Sequence, residues 1–320
     1  MIDILLATYE GEAFLEEQLL SIMAQTVSDW NLYISDDGST DATPHIARQF
    51  AQRDERIHVL EHHEPLGGAR KNFMHLLRHS TAPYCMFCDQ DDVWLPNKIE
   101  VTLQRMHELE ERYATDVPLM VFTDMIVVDA ELNVLRGSFE RQIYVDPNRT
   151  GLMQLISVPV AAGCTMMLNE ALRNKTLETP RDQPMDMHDW WISLVAAAFG
   201  HIGHVDEPTS LYRQHASNTI GANDKTTIRT FGTFSMDAAS ADINRAFALA
   251  KSFCDVYYDQ LSPRDQRRIS SFTSVSTAPR LLRIPRMIRG RSWKRGAVRK
   301  MGEAVVLLLM KMEDFPLDSK

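Results

Sequence analysis

The sequence has few cysteines and no long apolar run, and each absence excludes a class of protein. Its 320 residues include four Cys, too few and too scattered for a disulfide framework. Crossing a bilayer takes about 20 apolar residues, whereas the apolar run near the end, residues 304–310, has seven. The first residues form a strand-like pattern and not a charged and apolar leader. We therefore expect a soluble chain with no signal peptide, in the reducing cytoplasm.

Two of the cysteines, Cys85 and Cys88, form a C-x-x-C pattern inside a predicted strand, residues 84–88. Residues i and i+3 of a strand point to opposite faces of the sheet, so these thiols do not converge on one disulfide or zinc ion. We interpret both as buried apolar residues and not as a redox or metal pair.

Acidic residues are absent from one long stretch near the C-terminus. The chain has a net charge of −9, yet residues 266–302 hold 11 of its 34 basic residues and none of its 43 acidic ones. The rest of the chain therefore carries 23 basic and 43 acidic residues, a net charge of −20. Apolar residues, Trp293 among them, interleave with the arginines, and Pro285 is expected to interrupt any helix there.

This basic stretch is either a solvated tail or a patch for an anionic surface, membrane lipid or nucleic acid. Interleaved aliphatic and Trp side chains suit a bilayer interface, so we predict an anionic membrane partner and no nucleic acid. The predicted contacts are Arg280, Arg283, Arg286 and Arg289, which recur at every third position.

Strand-like and helix-like patterns alternate over residues 1–130. The predicted strands are residues 2–7, 30–35, 57–60, 84–88 and 119–128, and the predicted helices are residues 12–25, 44–52, 72–79 and 97–113. This alternation is typical of an α/β protein with a mostly parallel, doubly wound sheet. The pattern loosens after residue 130, and residues 236–320 are mostly helical in pattern.

Three carboxylates, Asp89, Asp91 and Asp92, follow the fourth predicted strand. Packed this closely they repel one another, which is costly unless a cation lies among them, and carboxylates are ligands that Mg²⁺ and Mn²⁺ prefer. An Asp-rich surface loop is the alternative interpretation. Residues 35–41 form a second acidic turn after the second strand, and residues 8–10 end the first. Because ligands bind at the carboxyl ends of parallel strands, we expect the three turns to meet in one crevice.

Five segments, taken together, resemble glycosyltransferase family 2, which has the GT-A fold. The segments are residues 8–10 (Thr-Tyr-Glu), 36–41 (Asp-Asp-Gly-Ser-Thr-Asp), 67–72 (Gly-Gly-Ala-Arg-Lys-Asn), 89–98 (Asp-Gln-Asp-Asp-Val-Trp-Leu-Pro-Asn-Lys) and 188–191 (His-Asp-Trp-Trp). With the Tyr-Arg-Gln-His segment that begins at residue 212, they most resemble bacterial rhamnosyltransferases of cell-surface polysaccharide synthesis.

The resemblance covers residues 1–220 and implies a GT-A domain in two halves. Residues 1–130 would bind the nucleotide, and residues 131–220 would hold the acceptor and the catalytic base. Residues 221–320 resemble no family known to us. Their pattern predicts a helical, basic extension that contacts the membrane surface.

The resemblance also implies roles for single residues. Asp37 would accept the ring N–H of uracil or thymine, Arg70 would contact the base or phosphates, and Asp89 would approach the ribose or the metal shell. The implied nucleotide-binding residues are Thr8, Tyr9, Glu10, Asp37, Arg70 and Asp89. For Arg70 the alternative is an ordinary surface ion pair.

Five further residues are assigned to the metal, the reaction and the sugar pocket. Asp91 and His215 would bind a divalent metal, Mg²⁺ or Mn²⁺, although a lone His is more often structural. Asp189 would be the general base, and its alternative is an acid in the first turn of a helix. Trp94 and Trp190 would line the donor or acceptor pocket, or else pack the loop and the helix.

The predicted function is therefore an inverting, metal-dependent glycosyltransferase of hexosyltransferase type. Its donor would be dTDP-L-rhamnose or another nucleotide-diphosphate sugar such as a UDP-hexose. Its acceptor would be a saccharide or lipid-linked saccharide, reached from the inner face of the plasma membrane. The alternatives are a phosphatase or phosphotransferase using Asp89 and Asp91, and a catalytically silent sugar-nucleotide-binding or scaffold protein.

Overall fold

The computed structural model describes residues 1–62, 64–143, 145–215, 236–293 and 297–310. The predicted domain boundary near residue 220 lies outside the described residues. Among the helices of these ranges, none combines the length and apolar character that crossing a membrane requires.

Nine strands of the described chain form one sheet in the order β3-β2-β1-β4-β8-β6-β9-β5, with β7 paired to β6. They are β1 (Ile2–Thr8), β2 (Trp30–Asp36), β3 (Ile57–Leu60), β4 (Tyr84–Cys88), β5 (Val93–Trp94), β6 (Leu119–Val128), β7 (Val134–Arg136), β8 (Met166–Asn169) and β9 (His201–Arg213). The first four strands are parallel, as their sequence predicts.

Beyond β4 the sheet is mixed. Strand β8 lies antiparallel between β4 and β6, whereas β6 and β9 pair in parallel and β5 pairs antiparallel to β9. Inserting β8 brings the segment before it, residues 163–165, beside the end of β4. The α/β architecture is confirmed, and the mixed half is where residues distant in sequence reach the acidic turn.

Twelve α-helices cover the sheet and extend from it in the described chain. They are α1 (Leu15–Met23), α2 (Thr43–Arg53), α3 (Ala69–His79), α4 (Lys98–Tyr113), α5 (Phe139–Ile143), α6 (Leu152–Leu155), α7 (Glu170–Leu177), α8 (His188–Phe199), α9 (Met236–Tyr257), α10 (Pro263–Thr273), α11 (Arg280–Gly290) and α12 (Ala297–Leu309). The first four follow the predicted alternation with the strands, and the C-terminal region is helical as predicted.

The sheet separates two hydrophobic cores because alternate residues of each strand point to opposite faces. Leu5 belongs to one core, whereas Ile4 and Leu6 belong to the other. Cys85 and Cys88 are likewise buried in different cores as free thiols. The interpretation of this C-x-x-C pair as apolar packing is thus confirmed.

The C-terminal helices share the first of these cores with the sheet. Phe253 and Tyr257 of α9 contact Trp191 of α8 at ring-centroid distances of 5.5 and 6.3 Å. Phe272 of α10 and Met287 of α11 are buried in the same cluster. Packing against α8 therefore ties the extension to the helix that carries Asp189.

Two expectations about the basic stretch were wrong. Helix α11 continues through Pro285, which lies on the exposed side of the helix, where water can satisfy the carbonyl that a proline leaves unpaired. Arg283 is 8 % exposed and donates hydrogen bonds to the carbonyls of Leu307 and Met310. Arg286 is half-buried and donates to the carbonyl of Ser274, the residue that follows α10. Two of the four predicted membrane arginines therefore bond carbonyls within the helical extension.

Candidate active site

The turns after β1, β2 and β4 meet at one edge of the sheet, as expected. The hydroxyl of Thr8 donates to Asp36 Oδ1 at 2.8 Å. The Gln90 side chain accepts from the Tyr9 amide at 2.8 Å and donates to the Tyr9 carbonyl at 2.9 Å. Three turns from distant parts of the sequence are therefore bonded into one framework.

Glu10 joins the first turn to the second and leaves the neighbouring aromatic ring free to contact a ligand. Its carboxylate accepts from the amide of Thr40 at 2.8 Å, and its own amide donates to the Ser39 hydroxyl at 2.8 Å. Tyr9 is 59 % exposed. In this arrangement Glu10 acts on the shape of the turn, while the Tyr9 ring faces outward.

Asp37 organises the glycine turn. Its carboxylate accepts hydrogen bonds from the backbone amides of Leu66, Gly67 and Gly68, and both glycines have positive φ angles, 84° and 113°, which L side chains avoid. A carboxylate offers about four acceptor sites. Three are used here, so one remains for a ring N–H such as that of uracil or thymine.

Helix α3 starts at this turn and carries two buried polar side chains, those of Arg70 and Asn72. Arg70 is 8 % exposed, which is not the exposure of an ordinary surface ion pair. The side-chain amide of Asn72 donates from Nδ2 to the Ser35 carbonyl at 2.8 Å. The start of α3 is thereby fixed against the end of β2, next to Asp37.

The acidic turn after β4 is crowded and largely buried. Ligand atoms of Asp89, Asp92 and Cys164 all lie within 4.8 Å of one another. Burial, reinforced by the negative charge of Asp91, raises the pKa of Asp89 to about 7. The same causes hold the pKa of Asp92, which has 0 % exposure, well above its ordinary value. Negative charge at this turn is therefore unfavourable without a counter-ion.

The two predicted metal ligands are in direct contact. His215 Nε2 lies 2.8 Å from Asp91 Oδ2, and the imidazole packs on Phe14 at a centroid distance of 4.5 Å. Arg213 fixes the loop from behind by donating from Nε to the Asp91 carbonyl at 2.8 Å. Sequence positions 91 and 215 thus reach one centre because β9 ends beside the acidic turn.

The chemistry of these donors fits a hard divalent metal. Carboxylate oxygens and one imidazole nitrogen suit Mg²⁺ or Mn²⁺. Asp92 Oδ2 is buried and has no N–H or O–H donor within hydrogen-bonding distance among the described residues. Cys164 is a poor ligand in this state, because burial holds its pKa well above the ordinary value and keeps it a thiol. The aspartates and His215 are therefore the residues that would hold such a metal.

A buried lysine lies beneath the acidic turn. Lys98 has 0 % exposure, and its ammonium donates to the Thr209 hydroxyl at 3.1 Å and lies 5.0 Å from the centroid of the Trp94 ring. Burial lowers the pKa of Lys98, and the charge of Asp92 opposes that decrease. Lys98 is the positive charge built into the protein opposite the carboxylates.

Asp189 lies at the start of α8, facing the same centre. Its Oδ2 accepts from the Gly163 amide at 3.0 Å and its Oδ1 from the Trp190 amide at 2.7 Å. Burial raises the pKa of Asp189 to about 6, although these two amides act to lower it. The charge of Asp189 in turn contributes to the raised pKa of Asp89, so the two carboxylates are electrostatic neighbours.

The residue before Asp189, His188, is a packing residue. Its ring stacks on Phe73 at 4.3 Å and meets the Phe87 edge at 4.8 Å. Burial lowers the pKa of His188 to about 3, so the ring is neutral. It supports Gly163, whose position would bring an added Cβ to 2.7 Å from His188 Nε2.

The two tryptophans assigned to the sugar pocket are enclosed by protein. Trp94 is 2 % exposed and Trp190 is 7 % exposed. The Trp190 indole N–H donates to the Leu155 carbonyl at 2.6 Å, and the Trp94 amide donates to the Ser21 hydroxyl at 3.0 Å. Their burial favours packing of the helix and the loop over contact with a sugar.

Sequence reasoning named Asp92 in the carboxylate cluster but missed Cys164, Lys98 and Arg213 as parts of the site. Lys98 ends the segment at residues 89–98 and Arg213 lies two residues before His215, so their positions beside predicted site residues could have indicated them. Cys164 had no such signal, because only the pairing of β8 with β4 brings it to the acidic turn.

The fold and the converging acidic turns define a class, the GT-A glycosyltransferases. The fold is similar to that of Staphylococcus aureus TarS 1-349, with a TM-score of 0.58, 15 % identity and coverage of 90 % of this chain and 78 % of that one. It is also similar to that of the mannosyltransferase PcManGT from Pyrobaculum calidifontis in complex with GDP-Man and Mn²⁺, with a TM-score of 0.53, 15 % identity and coverage of 97 % and 81 %.

The model of the family named glycosyl transferase family 2 matches residues 3–172, and the chain belongs to that family. It is 28 % identical to the dTDP-rhamnosyl transferase RfbG of Shigella flexneri over 232 residues, 68 % of this chain and 74 % of that protein. It is 24 % identical to the putative teichuronic acid biosynthesis glycosyltransferase TuaG of Bacillus subtilis, over 81 % of this chain and 94 % of that protein. The protein is an enzyme that uses a nucleotide-sugar donor.

Gly163→Ala should impair transfer by moving the amide that holds Asp189. The new Cβ would lie 2.7 Å from His188 Nε2, and His188 is packed against Phe73 and Phe87. A hydrogen bond to a charged group contributes about 1.5–3 kcal/mol, so kcat should fall roughly 10–100-fold. In the wild-type protein the Gly163 amide lowers the pKa of Asp189. Displacing that amide should raise the pKa of Asp189, so the acidic limb of the pH–rate profile should move to higher pH.

Gly137→Ala is the matched control for that variant, since an added Cβ at Gly137 has no heavy atom within 4 Å. It should retain wild-type kcat and pH dependence. Full activity with an unshifted profile in Gly163→Ala would show that the Gly163 amide does not set the state of Asp189.

Mn²⁺ should raise the melting temperature of the wild-type protein. At about 100 times its Kd a ligand stabilises the folded state by about 2.7 kcal/mol, which corresponds to roughly 5 °C for a chain of this size. Asp91→Asn should lose most of that rise in a thermal-shift assay. The exposed Asp116 provides the control Asp116→Asn, which should keep it. An equal rise in Asp91→Asn would place the metal away from this turn.

Proposed function

We propose that the enzyme transfers L-rhamnose from dTDP-L-rhamnose to a hydroxyl of a saccharide, with inversion at the anomeric carbon. General-base catalysis is supported by one observation, the placement of the Asp189 carboxylate. The amides of Gly163 and Trp190 donate to this carboxylate, and its pKa is about 6. The rhamnosyl donor is supported by the 28 % identity to a dTDP-rhamnosyl transferase.

In this reaction Asp189 accepts the proton of the acceptor hydroxyl as that oxygen attacks the anomeric carbon. The bond from that carbon to the nucleoside diphosphate breaks, and the diphosphate leaves from the opposite face. One displacement on dTDP-β-L-rhamnose gives an α-L-rhamnosyl product. A pKa of about 6 leaves Asp189 ionised at neutral pH, while it remains basic enough to take a proton.

The donor binds across the three turns. Asp37 accepts the ring N–H of the base at its remaining acceptor site, and the exposed Tyr9 ring covers the base. Arg70 contacts the phosphates or the base from the start of α3, and Asp89 faces the ribose or the metal shell. Thr8 and Glu10 hold the first turn against the second, as their hydrogen bonds to Asp36 and Thr40 support.

Asp91 and His215 would hold Mg²⁺ or Mn²⁺, with Asp89 and Asp92 beside them. A divalent ion there supplies the positive charge that stabilises a departing diphosphate. The protein's own contribution is to place Asp91 and His215 2.8 Å apart and to fix the Asp91 backbone through Arg213.

The acceptor in this proposal is a saccharide or lipid-linked saccharide of a cell-surface polysaccharide. One supporting relative is TuaG, named for teichuronic acid biosynthesis. Another is WfgD of Escherichia coli, named as a glucosyltransferase acting on α-D-GlcNAc-diphosphoundecaprenol, 30 % identical over 33 % of this chain and 41 % of that protein. Such an acceptor places the enzyme at the inner face of the plasma membrane.

A UDP-hexose is the second candidate donor, because WfgD is named for UDP-Glc. A panel of dTDP-L-rhamnose, UDP-glucose, UDP-GlcNAc and GDP-mannose with Mn²⁺ separates the candidates through release of nucleoside diphosphate and mass spectrometry of the product. The highest kcat/KM is expected with dTDP-L-rhamnose. A preference for a UDP-sugar would replace the rhamnosyl assignment, and binding without turnover of any donor would support a silent sugar-nucleotide-binding protein.

Asp189→Asn should leave donor binding nearly intact and lower kcat about 10²–10⁴-fold, as expected for loss of a general base. In the wild-type enzyme kcat/KM should fall about tenfold per pH unit below pH 6, because protonation removes the base form of Asp189. Stopped assays across pH and donor titration by calorimetry measure both effects.

The exposed Asp182, in the segment before α8, supplies the control Asp182→Asn, which should keep wild-type kcat. The Asn side chain has one acceptor oxygen where Asp189 uses two, so the variant leaves one backbone amide without its partner, and a melting curve separates lost chemistry from lost folding. Wild-type turnover by Asp189→Asn would reduce Asp189 to an acid at a helix start.

A further inference from the structure

Helices α11 and α12 expose an unusual number of large apolar side chains. Seven of the fourteen exposed large hydrophobic residues of the described chain lie on these two helices. They form what we call the α11–α12 surface: Leu281, Leu282, Ile288, Met301, Val305, Leu308 and Leu309. Leu281 is 85 % exposed and Met301 is 69 % exposed.

These side chains are exposed although each helix already buries its other side. In α11, Arg283, Met287 and Gly290 face the protein, and in α12, Val306 and Leu307 have 0 % exposure. Exposed residues recur at positions 281, 285 and 288 and at positions 301, 305 and 308, which is the spacing of one helical face. Both helices are therefore apolar on the outward face as well as the inward one.

Basic residues accompany the outward faces. Arg280, Arg289, Arg291 and Lys300 are exposed, and residues 266–302 contain no acidic side chain. The nearest acid of α12, Glu303, is 7 % exposed. The surface thus presents positive charge and apolar area together, while the remainder of the chain has a net charge of −20.

We propose that the α11–α12 surface docks on an anionic phospholipid membrane. Its apolar side chains enter the boundary between headgroups and acyl chains, and Arg280, Arg289, Arg291 and Lys300 contact lipid phosphates. The acidic remainder of the chain is repelled by the same membrane, which fixes the orientation of the enzyme. The inference rests on the proposed function only in the role that it gives to docking, which is access to a lipid-linked acceptor.

Charge complementarity favours a membrane over a second copy of the chain. Two copies joined through this surface would bring the basic residues of one against those of the other, with no acidic residue of the stretch to pair with them. An anionic bilayer satisfies the apolar and the basic residues at once. Arg283 and Arg286 take no part, because their guanidinium groups bond carbonyls inside the helical extension.

Co-sedimentation with vesicles of equal parts phosphatidylglycerol and phosphatidylcholine, without donor or acceptor, tests the proposal. The wild-type chain should bind these vesicles at low salt, bind weakly to pure phosphatidylcholine, and be released as salt screens the attraction. Arg280→Ser with Arg289→Ser and Lys300→Ser should weaken partition on the order of 100-fold, since each basic residue near the surface contributes roughly fivefold.

Matched variants distinguish the contribution of the α11–α12 surface to vesicle binding from that of the overall charge. The variant Arg48→Ser with Arg53→Ser and Arg112→Ser removes three exposed positive charges from the sheet-bearing part of the chain, and it should bind within about twofold of wild type if the surface carries the attraction. Leu281→Ser with Ile288→Ser and Leu309→Ser keeps every charge and should weaken partition at least about tenfold, because burial of each apolar side chain is lost.

Three outcomes would overturn the proposal. They are wild-type protein that does not bind anionic vesicles at low salt, equal losses from the two basic triple variants, and a concentration-dependent dimer in sedimentation velocity that the Leu281→Ser triple variant abolishes. Release of nucleoside diphosphate from free donor is measured in parallel without vesicles. Vesicle binding without turnover would refute the proposed function and leave the docking surface standing, and turnover without vesicle binding would do the reverse.

Discussion

The structure depends on keeping three carboxylates together at the end of one buried strand. Asp92 has 0 % exposure, and Asp89 and Asp92 both have raised pKa values because burial and mutual repulsion disfavour their charge. The protein places its own cation, Lys98, near this charge, also at 0 % exposure. The compensation is incomplete, since one ammonium faces three carboxyl groups. A divalent ion at Asp91 and His215 would supply the remaining charge, so a bound metal would relieve the repulsion that makes the turn costly.

Arg213 joins this turn to the rest of the fold. Its guanidinium donates to the Asp91 carbonyl, to the Ala130 carbonyl after β6 and to the Glu17 carboxylate of α1. Three elements that are far apart in sequence are fixed by one side chain at 2 % exposure. Because β9 ends at Arg213, His215 follows directly onto Asp91. From the other side, the segment before β8 delivers Gly163 to Asp189. The mixed half of the sheet thus positions Asp189 and His215 at the acidic turn, while the parallel half carries the turns that we propose to bind the nucleotide.

This division explains how much the sequence alone could predict. Strands β1 to β4 and their helices follow local periodicity, so their order, direction and converging turns were predictable. The motifs also predicted that Asp91 and His215 lie together, and their side chains are 2.8 Å apart. The family match excludes the phosphatase alternative. Burial in the mixed half was not predictable, because it depends on pairings between distant strands. Trp94 and Lys98 share one segment with Asp91, yet only the pairing of β5 with β9 encloses them. Cys164 approaches Asp92 for a similar reason, the insertion of β8 beside β4.

The basic stretch was also only partly predictable from sequence, because a count of arginines does not show which guanidinium groups face solvent. Arg283 and Arg286 have the same spacing as Arg280 and Arg289, but they donate to carbonyls at the ends of neighbouring helices. A buried carbonyl without a partner is costly, so these two guanidinium groups stabilise the extension and do not attract lipid. Fewer charges then remain for a membrane than the sequence indicates. In the proposed docking the outward apolar faces of α11 and α12 therefore have to contribute as well, and their exposure follows from how the two helices pack and not from their composition.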